Sequence, residues 1–508
     1  MMPSEVREVQ WSPQWSQLSE LIGERMGLYF PRERWDDLQR GLAGAAQEFG
    51  FEDATACVDW LTSAPPTKAQ LQVLASHLTI GETYFFRDKQ TLEALAGNIL
   101  PELIRARRGH EQRLRIWSAA CCSGEEAYSL AILLHQSLPD LRDWQVTITA
   151  TDINARFLHK AAAGIYGEWS FRDAPAGLKE RYFNRTADGR YAIVPEIKKL
   201  VTFAYLNLVE DVYPSLATDT NAMDLIFCRN VLMYFTPPQV RKVIGNLRRT
   251  LVEGGWLVVS PSESSHALFP QFVAVNFPGA IFYQKSNAPL RAEQRWTPAP
   301  LSESAGYVAP ATETPLPWAP PVRPAQPSPA LPPEDPAPAE TSPAPHAVAE
   351  SFYHQGRYAE AVDTLVASFA RHAPDPQAFS LLARALANQG KLADALAWCD
   401  RWIAADKLDP AGHYLRAVVL LERGDPEQAR SSLQRALYLH PDFVLAHFTS
   451  GNLARSRGKT GEADKHFANA LRLLRGHEPN DLLPESDGLT AGRLTEFITS
   501  MTTMESSP

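Results

Sequence analysis

Cysteine is scarce and unpatterned. The 508-residue chain holds 5 (Cys57, Cys121, Cys122, Cys228, Cys399), none in a C-x-x-C pair, so neither a disulfide framework nor a zinc site is expected. No run approaches the ~18 consecutive apolar residues of a membrane span, and the first residues lack a basic segment followed by an apolar core. The chain is therefore expected in the cytoplasm, neither exported nor inserted in a membrane. Positive charge is in deficit: 49 Lys+Arg stand against 58 Asp+Glu, a formal net charge of -9. That withholds the basic field that holds nucleic acid or an anionic bilayer. The G-x-G-x-x-G fingerprint of a dinucleotide site is missing as well.

Proline is abundant but uneven. Of 40 prolines, 17 lie between Pro289 and Pro345, among Ala, Ser, Thr and Glu. Such a segment cannot offset its chain entropy by burial, so residues 287–345 read as an extended, polyproline-leaning linker that tethers the two flanking parts. The part after it repeats. Gly356, Gly390, Gly424 and Gly458 are 34 residues apart, and Ala361, Ala395, Ala429 and Ala463 each follow by five. A third series, Ala349, Ala383, Ala417 and Gly451, supplies small side chains where two helices of a unit cross. The period and the GRYAEA and GKLADA segments resemble the tetratricopeptide repeat, a helix-turn-helix solenoid, over 346–476. In the tail, 477–508, Leu494, Phe497, Ile498 and Met501 share one helical face and read as a cap on the last repeat.

The part before the linker opens with helices. Trp35, Leu38, Leu42, Ala45 and Phe49 step by three and four between Pro31 and Gly50, and Leu71, Leu74 and Leu78 continue the pattern, so 1–80 reads as a helical bundle. From about 113 apolar strands alternate with helices: RLRIWSA, GEEAYSLAILLHQSL, WQVTITATD, NARFLHKAAAG, then MDLIFC, PPQVRKVIGNLRRTL, the turn EGG and the strand WLVVS. This is the pattern of a parallel sheet with helices on both faces. Between Gly164 and Phe203, TADGR separating YFN from YAIV signals a hairpin and a small antiparallel subdomain.

In such a sheet ligands bind at the carboxyl ends of the strands. The first strand-to-helix turn, SAACCSGEEAYS, carries Glu125 and Glu126 where a phosphate-binding loop would leave the helix N-terminus bare. A carboxylate there repels phosphate but suits a cationic ligand such as an α-amino group or a sulfonium. The next strand ends at Asp152, placed to accept both hydroxyls of a ribose. Together these point to S-adenosylmethionine. Plainer readings exist: the glutamates as dipole-favoured helix-start acids, and Asp152 as the N-cap of the helix beginning at Asn154. Cys121 and Cys122 read as small turn residues, since nothing nearby supplies the base a thiolate would want.

Four segments carry a family resemblance: LTIGETYFFRD at 78–88, IWSAACCSGEEAYSLAI at 116–132, ATDIN at 150–154 and DLIFCRNVLMYF at 224–235. In order and spacing they resemble the CheR-type chemoreceptor glutamate methyltransferases, over about 20–286. The resemblance implies a Rossmann-like S-adenosylmethionine domain over 81–286 with a β-subdomain, and transfer of a methyl group to glutamates of chemoreceptor cytoplasmic domains. It implies that Gly81, Thr83, Arg87, Glu126, Asp152, Asn207, Leu208, Arg229 and Asn230 line the cofactor site. Glu126 would take the amino group, Asp152 the ribose, and Asn207 with Leu208 the adenine edge. Arg87 and Tyr234 would stand beside the reacting groups, and a metal would be superfluous. Many relatives have Asn where this chain has Gly81. Residues 1–72 hold 6 Lys+Arg against 11 Asp+Glu, less basic than the resemblance implies. Bland counterparts are Arg87 paired with Asp88, Tyr234 as a core aromatic with a satisfied hydroxyl, and Asn230 as a helix cap. Rival functions are a methyltransferase of this fold with another acceptor, and a cofactor-sensing scaffold. The repeats imply a protein partner.

Overall fold

The computed structural model describes residues 12–109, 111–265, 267–286, 344–369 and 376–505. The linker expected at 287–345 falls almost wholly outside the described residues. Four helices come first, α1 (Pro13–Met26), α2 (Trp35–Glu48), α3 (Ala54–Ser63) and α4 (Lys68–Leu78). In α2 the expected stripe is inward: Leu38, Leu42 and Ala45 are fully buried. A reciprocal Thr67–Gln70 capping box starts α4, satisfying backbone donors that a helix start leaves open. Helices α5 (Lys89–Ala94) and α6 (Leu100–Arg107) lead into the sheet.

The strands are β1 (Arg113–Ala119), β2 (Gln145–Asp152), β3 (Ile165–Tyr166), β4 (Phe183–Arg185), β5 (Tyr191–Ile193), β6 (Val201–Tyr205), β7 (Met223–Cys228), β8 (Leu251–Val258), β9 (Phe272–Phe277) and β10 (Ala280–Lys285). Seven of them form one sheet in the order β6-β2-β1-β7-β8-β10-β9. The first five in that order run parallel, whereas β10 is antiparallel to both β8 and β9. β1 and β7 are buried along their whole length, as strands covered on both faces must be. Between and after the strands come α7 (Glu125–Ser137), α8 (Ala155–Ala163), the short α9 (Leu178–Tyr182) and α10 (Pro195–Lys198), and α11 (Pro237–Thr250).

The antiparallel edge was not foreseen from the sequence, and EGG is not a turn. Glu253–Gly255 lie inside β8, where the register against β7 shifts between Met223 and Leu225 and Gly254 takes φ 76°. The glycines make a bulge. The hairpin signal holds: the Thr186 N–H donates to the Arg190 carbonyl at 2.9 Å, and β5 pairs with both β4 and β3. Residue 80 is not a packing boundary, because Leu18, Ile22 and Leu42 share one core with Trp117, Ile226 and Leu247.

The repeats are helix pairs: α12 (Pro345–His354) with α13 (Tyr358–Phe369), α14 (Pro376–Asn388) with α15 (Leu392–Ala405), α16 (Pro410–Arg423) with α17 (Pro426–Leu439), and α18 (Val444–Ser456) with α19 (Thr460–Leu474). Gly356, Gly390, Gly424 and Gly458 end the first helices at φ 73°, 75°, 85° and 70°, a left-handed step that favours glycine. Ala349, Ala383 and Ala417 are fully buried at the crossings, and a β-carbon on Gly451 would lie 2.5 Å from the Phe467 ring. The tail forms α20 (Ala491–Glu505), whose Leu494 and Ile498 are fully buried. It packs on α19, as a cap should, and also against β6.

The solenoid is not held at a distance from the catalytic part, as the linker alone suggested. It docks on the amino ends of the sheet strands. Arg113, opening β1, pairs with Glu422 of α16 at 3.4 Å, and Asn221 Nδ2 donates to Glu422 Oε1 at 2.8 Å. Gln145 Nε2 donates to the Leu421 carbonyl at 3.3 Å and Arg249 Nη1 to the His354 carbonyl at 3.0 Å. Beyond the repeats, α20 reaches the carboxyl end of β6, where Arg493 lies over the Tyr205 ring. Among the described residues no helix is long and apolar enough to cross a membrane.

Candidate active site

A cavity of about 1220 Å³, open mouth included, lies at the carboxyl ends of β1, β2 and β7. Its first wall is the turn after β1. Ala120 and Cys122 take φ 62° and 51°, and Gly124 takes φ 92° with no room for a side chain, since a β-carbon would sit 2.8 Å from Ala161 Cβ. Burial raises both thiols, Cys122 to about 12, so they stay protonated in the turn.

Asp152, at the tip of β2, accepts the Cys122 N–H and the Asn154 N–H, each at 2.8 Å, so it holds the turn against β2. It is not the cap of α8. Asn154 is, accepting the N–H groups of Arg156 and Phe157 through its side chain. Burial lifts the Asp152 carboxyl to about 6, opposed by those backbone donors. It is a cavity-lining acid with acceptor capacity left for hydroxyl donors.

The two glutamates of α7 divide. Glu125 turns away and is fixed by Ser123 Oγ at 2.7 Å and Ser170 Oγ at 3.0 Å, anchoring the segment that carries the small sheet. Glu126 lines the cavity, accepts from Ser118 Oγ at 2.7 Å and lies 3.4 Å from Arg229 Nη1. Burial raises its carboxyl while Arg229 lowers it. Arg229, 7% exposed, reaches Asp88 with Nη2 at 2.9 Å, and its buried Nε has no partner.

Asp88 therefore belongs to Arg229 and not to Arg87. Arg87 lines the cavity, donates to the Glu82 carbonyl at 2.5 Å and stacks over the Tyr84 ring; among the described residues it forms no ion pair. Tyr234 also lines the cavity, half-buried, and its carbonyl accepts the Tyr29 N–H at 2.6 Å. Asn230 is a lining residue at φ 57° rather than a helix cap. Asn207 gives its amide hydrogens to the Arg25 carbonyl at 2.8 Å and to Glu210 at 3.0 Å, and its Oδ1 accepts the Val209 N–H at 3.3 Å, so its side-chain donors are engaged within the chain. Leu208 and Thr83 line the wall too. Gly81 stands between the lining residues Ile80 and Glu82, and a β-carbon there would lie 2.7 Å from Phe157 Cζ. Phe157 occupies the space that a side chain at this position would need.

Sequence reasoning missed the wall built by the helical bundle, where Met26, Leu28, Tyr29, Phe30 and Arg34 line the cavity. No motif marks them. It also missed Glu263, 5% exposed, which accepts the N–H groups of Asn230 (2.8 Å), Val231 (2.7 Å) and Met233 (3.2 Å) and so shapes the loop after β7. The S-x-x-E spacing of Ser260 and Glu263, a capping box in the structure, was a usable signal.

This donor set suits an adenosine with a cationic amino-acid tail: a buried carboxylate at the tip of β2, a second at the head of α7, and apolar walls. Comparison with known proteins agrees. Residues 81–276 match the family described as CheR methyltransferase, SAM binding domain, and 347–410 and 414–477 match the tetratricopeptide repeat. Chemotaxis protein methyltransferase 2 of Vibrio cholerae is 36% identical over 216 residues, 42% of this chain and 73% of that protein. The chain belongs to the CheR methyltransferase family. Chemotaxis protein methyltransferase 1 of Pseudomonas aeruginosa is 38% identical, covering 42% of this chain and 77% of its own. The probable biofilm formation methyltransferase WspC of the same organism is 30% identical across 79% of this chain and 86% of its own, so the likeness extends into the repeats. This CheR protein is an S-adenosylmethionine-dependent methyltransferase of chemosensory type with a tetratricopeptide domain.

Proposed function

We propose that the acceptor is the glutamate side chain of chemoreceptor cytoplasmic domains, and that the product is a glutamyl methyl ester made in the cytoplasm. The observation that carries this reading is Arg87: a cation lining the cavity that forms no ion pair with a carboxylate among the described residues. It is suited to hold one oxygen of an incoming carboxylate while the other attacks. The Tyr234 hydroxyl fixes the approach. A glutamate of ordinary pKa, about 4.3, is already an anion at neutral pH, so no general base is required. Bound S-adenosylmethionine supplies an electrophilic methyl. The chain positions and dehydrates: Glu126 takes the amino group, Asp152 the ribose hydroxyls, and the main chain at Asn207 and Leu208 the adenine edge. Thr83, Arg229 and Asn230 close the walls, and Gly81 leaves the adjoining wall to Phe157.

The repeats, in this reading, bind a protein partner. The relative that aligns through them is named for biofilm formation, which favours a chemosensory pathway governing surface growth as the output. Methyl-labelled S-adenosylmethionine incubated with the receptors of the same genome tests the acceptor. Label released as methanol by mild alkali is expected on one or a few of them. Unlabelled receptors, or alkali-stable label, overturn it.

A further inference from the structure

The first helices of successive repeats, α12, α14 and α16, lie side by side and form the inner face that such solenoids use for binding. Here that face is filled by the chain's own C-terminal segment. Residues 482–490 form a tight loop, closed by a Leu482–Thr490 bridge and by the Leu483 N–H donating to the Leu489 carbonyl at 3.0 Å. Leu483 and Leu489 are buried in the repeat core, 4% and 2% exposed. Between them the tip presents two carboxylates to one arginine. Arg384 of α14, 6% exposed, binds Glu485 Oε2 at 2.5 Å, the Glu485 carbonyl at 2.9 Å and Asp487 Oδ1 at 2.7 Å. Ser380 donates to Glu485 at 3.1 Å and Tyr353 to Asp487 at 3.2 Å. Glu485 and Asp487 both sit at positive φ, 63° and 54°, a backbone state that non-glycine residues keep where surroundings over-determine it.

The same segment also contacts residues that brace the cofactor cavity from outside. Beyond the loop, α20 places Arg493 against Glu210 and Glu496 against Lys68, with Arg493 and Lys68 both over the Tyr205 ring. Glu210 is the residue that receives Asn207 Nδ2 at 3.0 Å, and Lys68 opens the helix whose far end, Leu78, lines the cavity. One segment therefore spans from the repeat groove to the residues behind two walls of the cofactor site, Glu210 behind Asn207 and Lys68 at the far end of the Leu78 helix.

We infer that the inner groove of the repeats is a binding site for an acidic peptide of another protein, patterned leucine, glutamate, aspartate, leucine. The chain's own residues 481–498 hold that site as an intramolecular ligand. The inference deepens the reading of the repeats as a protein-binding module. Arg384 supplies the charge that selects such a partner, and the pockets of Leu483 and Leu489 supply the anchors. Displacement of the segment frees Glu210 and Lys68, loosens the wall at Asn207 and weakens cofactor binding. By reciprocity the cofactor weakens the peptide by the same factor.

The test uses the full-length protein and a fluorescent synthetic peptide with the sequence of residues 479–492. The double variant E485Q/D487N, whose own segment competes poorly, is expected to bind the peptide at least tenfold more tightly than the unaltered protein. Adding R384Q to it should cost at least tenfold, with R384K in between. Titrating the peptide should raise the dissociation constant of S-adenosylhomocysteine at least threefold. A double variant that binds the peptide no better, or binding indifferent to Arg384, overturns the groove assignment. Binding without any change in S-adenosylhomocysteine affinity overturns the coupling and leaves the groove. Should the double variant melt without cooperativity, hydrogen exchange on the unaltered protein decides: excess peptide must speed exchange over 491–498, and unchanged exchange overturns the proposal. Peptide capture confined to dimers that have exchanged tails overturns the external partner.

Discussion

Glu422 and Arg113 stand 309 positions apart in the chain and pair at 3.4 Å, their side chains 4% and 3% exposed. The pair joins the solenoid to the amino edge of the sheet. Burial pushes the Glu422 carboxyl up, and Arg115 and Arg113 pull it back. Removing one partner of a buried set strands the others, which costs about 3–5 kcal/mol. Glu422→Leu is therefore expected to lose that much in denaturant unfolding of the full chain. A loss under about 1 kcal/mol would mean that the interface tolerates an unpaired Arg113, as an exposed pair would.

A second prediction concerns the crossing inside the last repeat. The missing β-carbon of Gly451 would lie 2.5 Å from the Phe467 ring, so Gly451→Ala overpacks a buried contact and is expected to cost about 1–3 kcal/mol. Phe467→Leu alone opens space. In the double variant the two effects should partly cancel, which a double-mutant cycle reads as a non-zero coupling. Additive losses would place the strain elsewhere.

What the sequence made legible is what local chemistry repeats or punctuates. The glycines at 34-residue spacing announce themselves because each must take a left-handed step, and β1 and β7 fall where RLRIWSA and MDLIFC were read. The candidate site was legible as order in the chain: Glu126 after the first strand, Asp152 at the tip of the second, Arg229 and Asn230 after β7, all on one cavity. Contacts without a local period were not legible. Arg113, Arg115 and Glu422 look like ordinary surface charges until the solenoid buries them. Tyr29 and Arg34 reach the cavity only because the chain at Gly27–Tyr29 is stitched to Tyr234–Thr236 by backbone hydrogen bonds. EGG, read as a turn, is a bulge inside β8, and the antiparallel edge of β10 and β9 follows from pairings that carry no local signal.

The burial of Asp152 makes cofactor binding pH-dependent. Its carboxyl is lifted from 3.8 to about 6. Hydroxyl donors favour the ionised form, so affinity for S-adenosylhomocysteine should be full above about pH 7 and fall as pH drops through 6, by up to about tenfold per unit. Stability runs the other way: the fold favours the protonated acid, so this group's favourable contribution is lost as pH rises through about 6. Calorimetry across that range is the check, with Asp152→Asn expected to bind more weakly and to flatten the profile. A slope that survives in the variant belongs to another group, of which Glu126, also raised by burial, is the first to examine.

Glu263 is expected to act through the loop it holds. Its carboxylate receives the N–H groups of Asn230, Val231 and Met233, and Glu263→Gln places amide hydrogens among donors. Losing charge-assisted bonds of this kind costs about 1.5–3 kcal/mol each. The variant should lose stability and cofactor affinity together, while Glu263→Asp recovers part of both. Full cofactor affinity in a destabilised Glu263→Gln protein would separate the loop from the site.

Arg87 and Arg229 offer the sharpest contrast, because they sit in one cavity with different partners. Arg229 is enclosed by Asp88 and Glu126, so Arg229→Ala strands two carboxylates and should reduce both stability and cofactor affinity. Arg87 donates to a carbonyl and lies over an aromatic face, and among the described residues it forms no ion pair. Its removal breaks no ion pair among the described residues, and Arg87→Ala is expected to melt within a few degrees of the unaltered protein. What should fall is turnover. A charge-assisted bond to the acceptor carboxylate worth about 2–3 kcal/mol corresponds to roughly 30- to 150-fold in kcat/KM on a receptor fragment. Arg87→Lys should restore little, since a point charge does not reproduce the planar guanidinium. The measurement pairs thermal melting and S-adenosylhomocysteine calorimetry with methyl-transfer kinetics for the three variants. If Arg87→Ala instead loses stability and keeps normal turnover per folded molecule, Arg87 is a scaffold residue, and the acceptor carboxylate must find its cation elsewhere in the cavity, with Arg34 of the helical bundle the next to substitute.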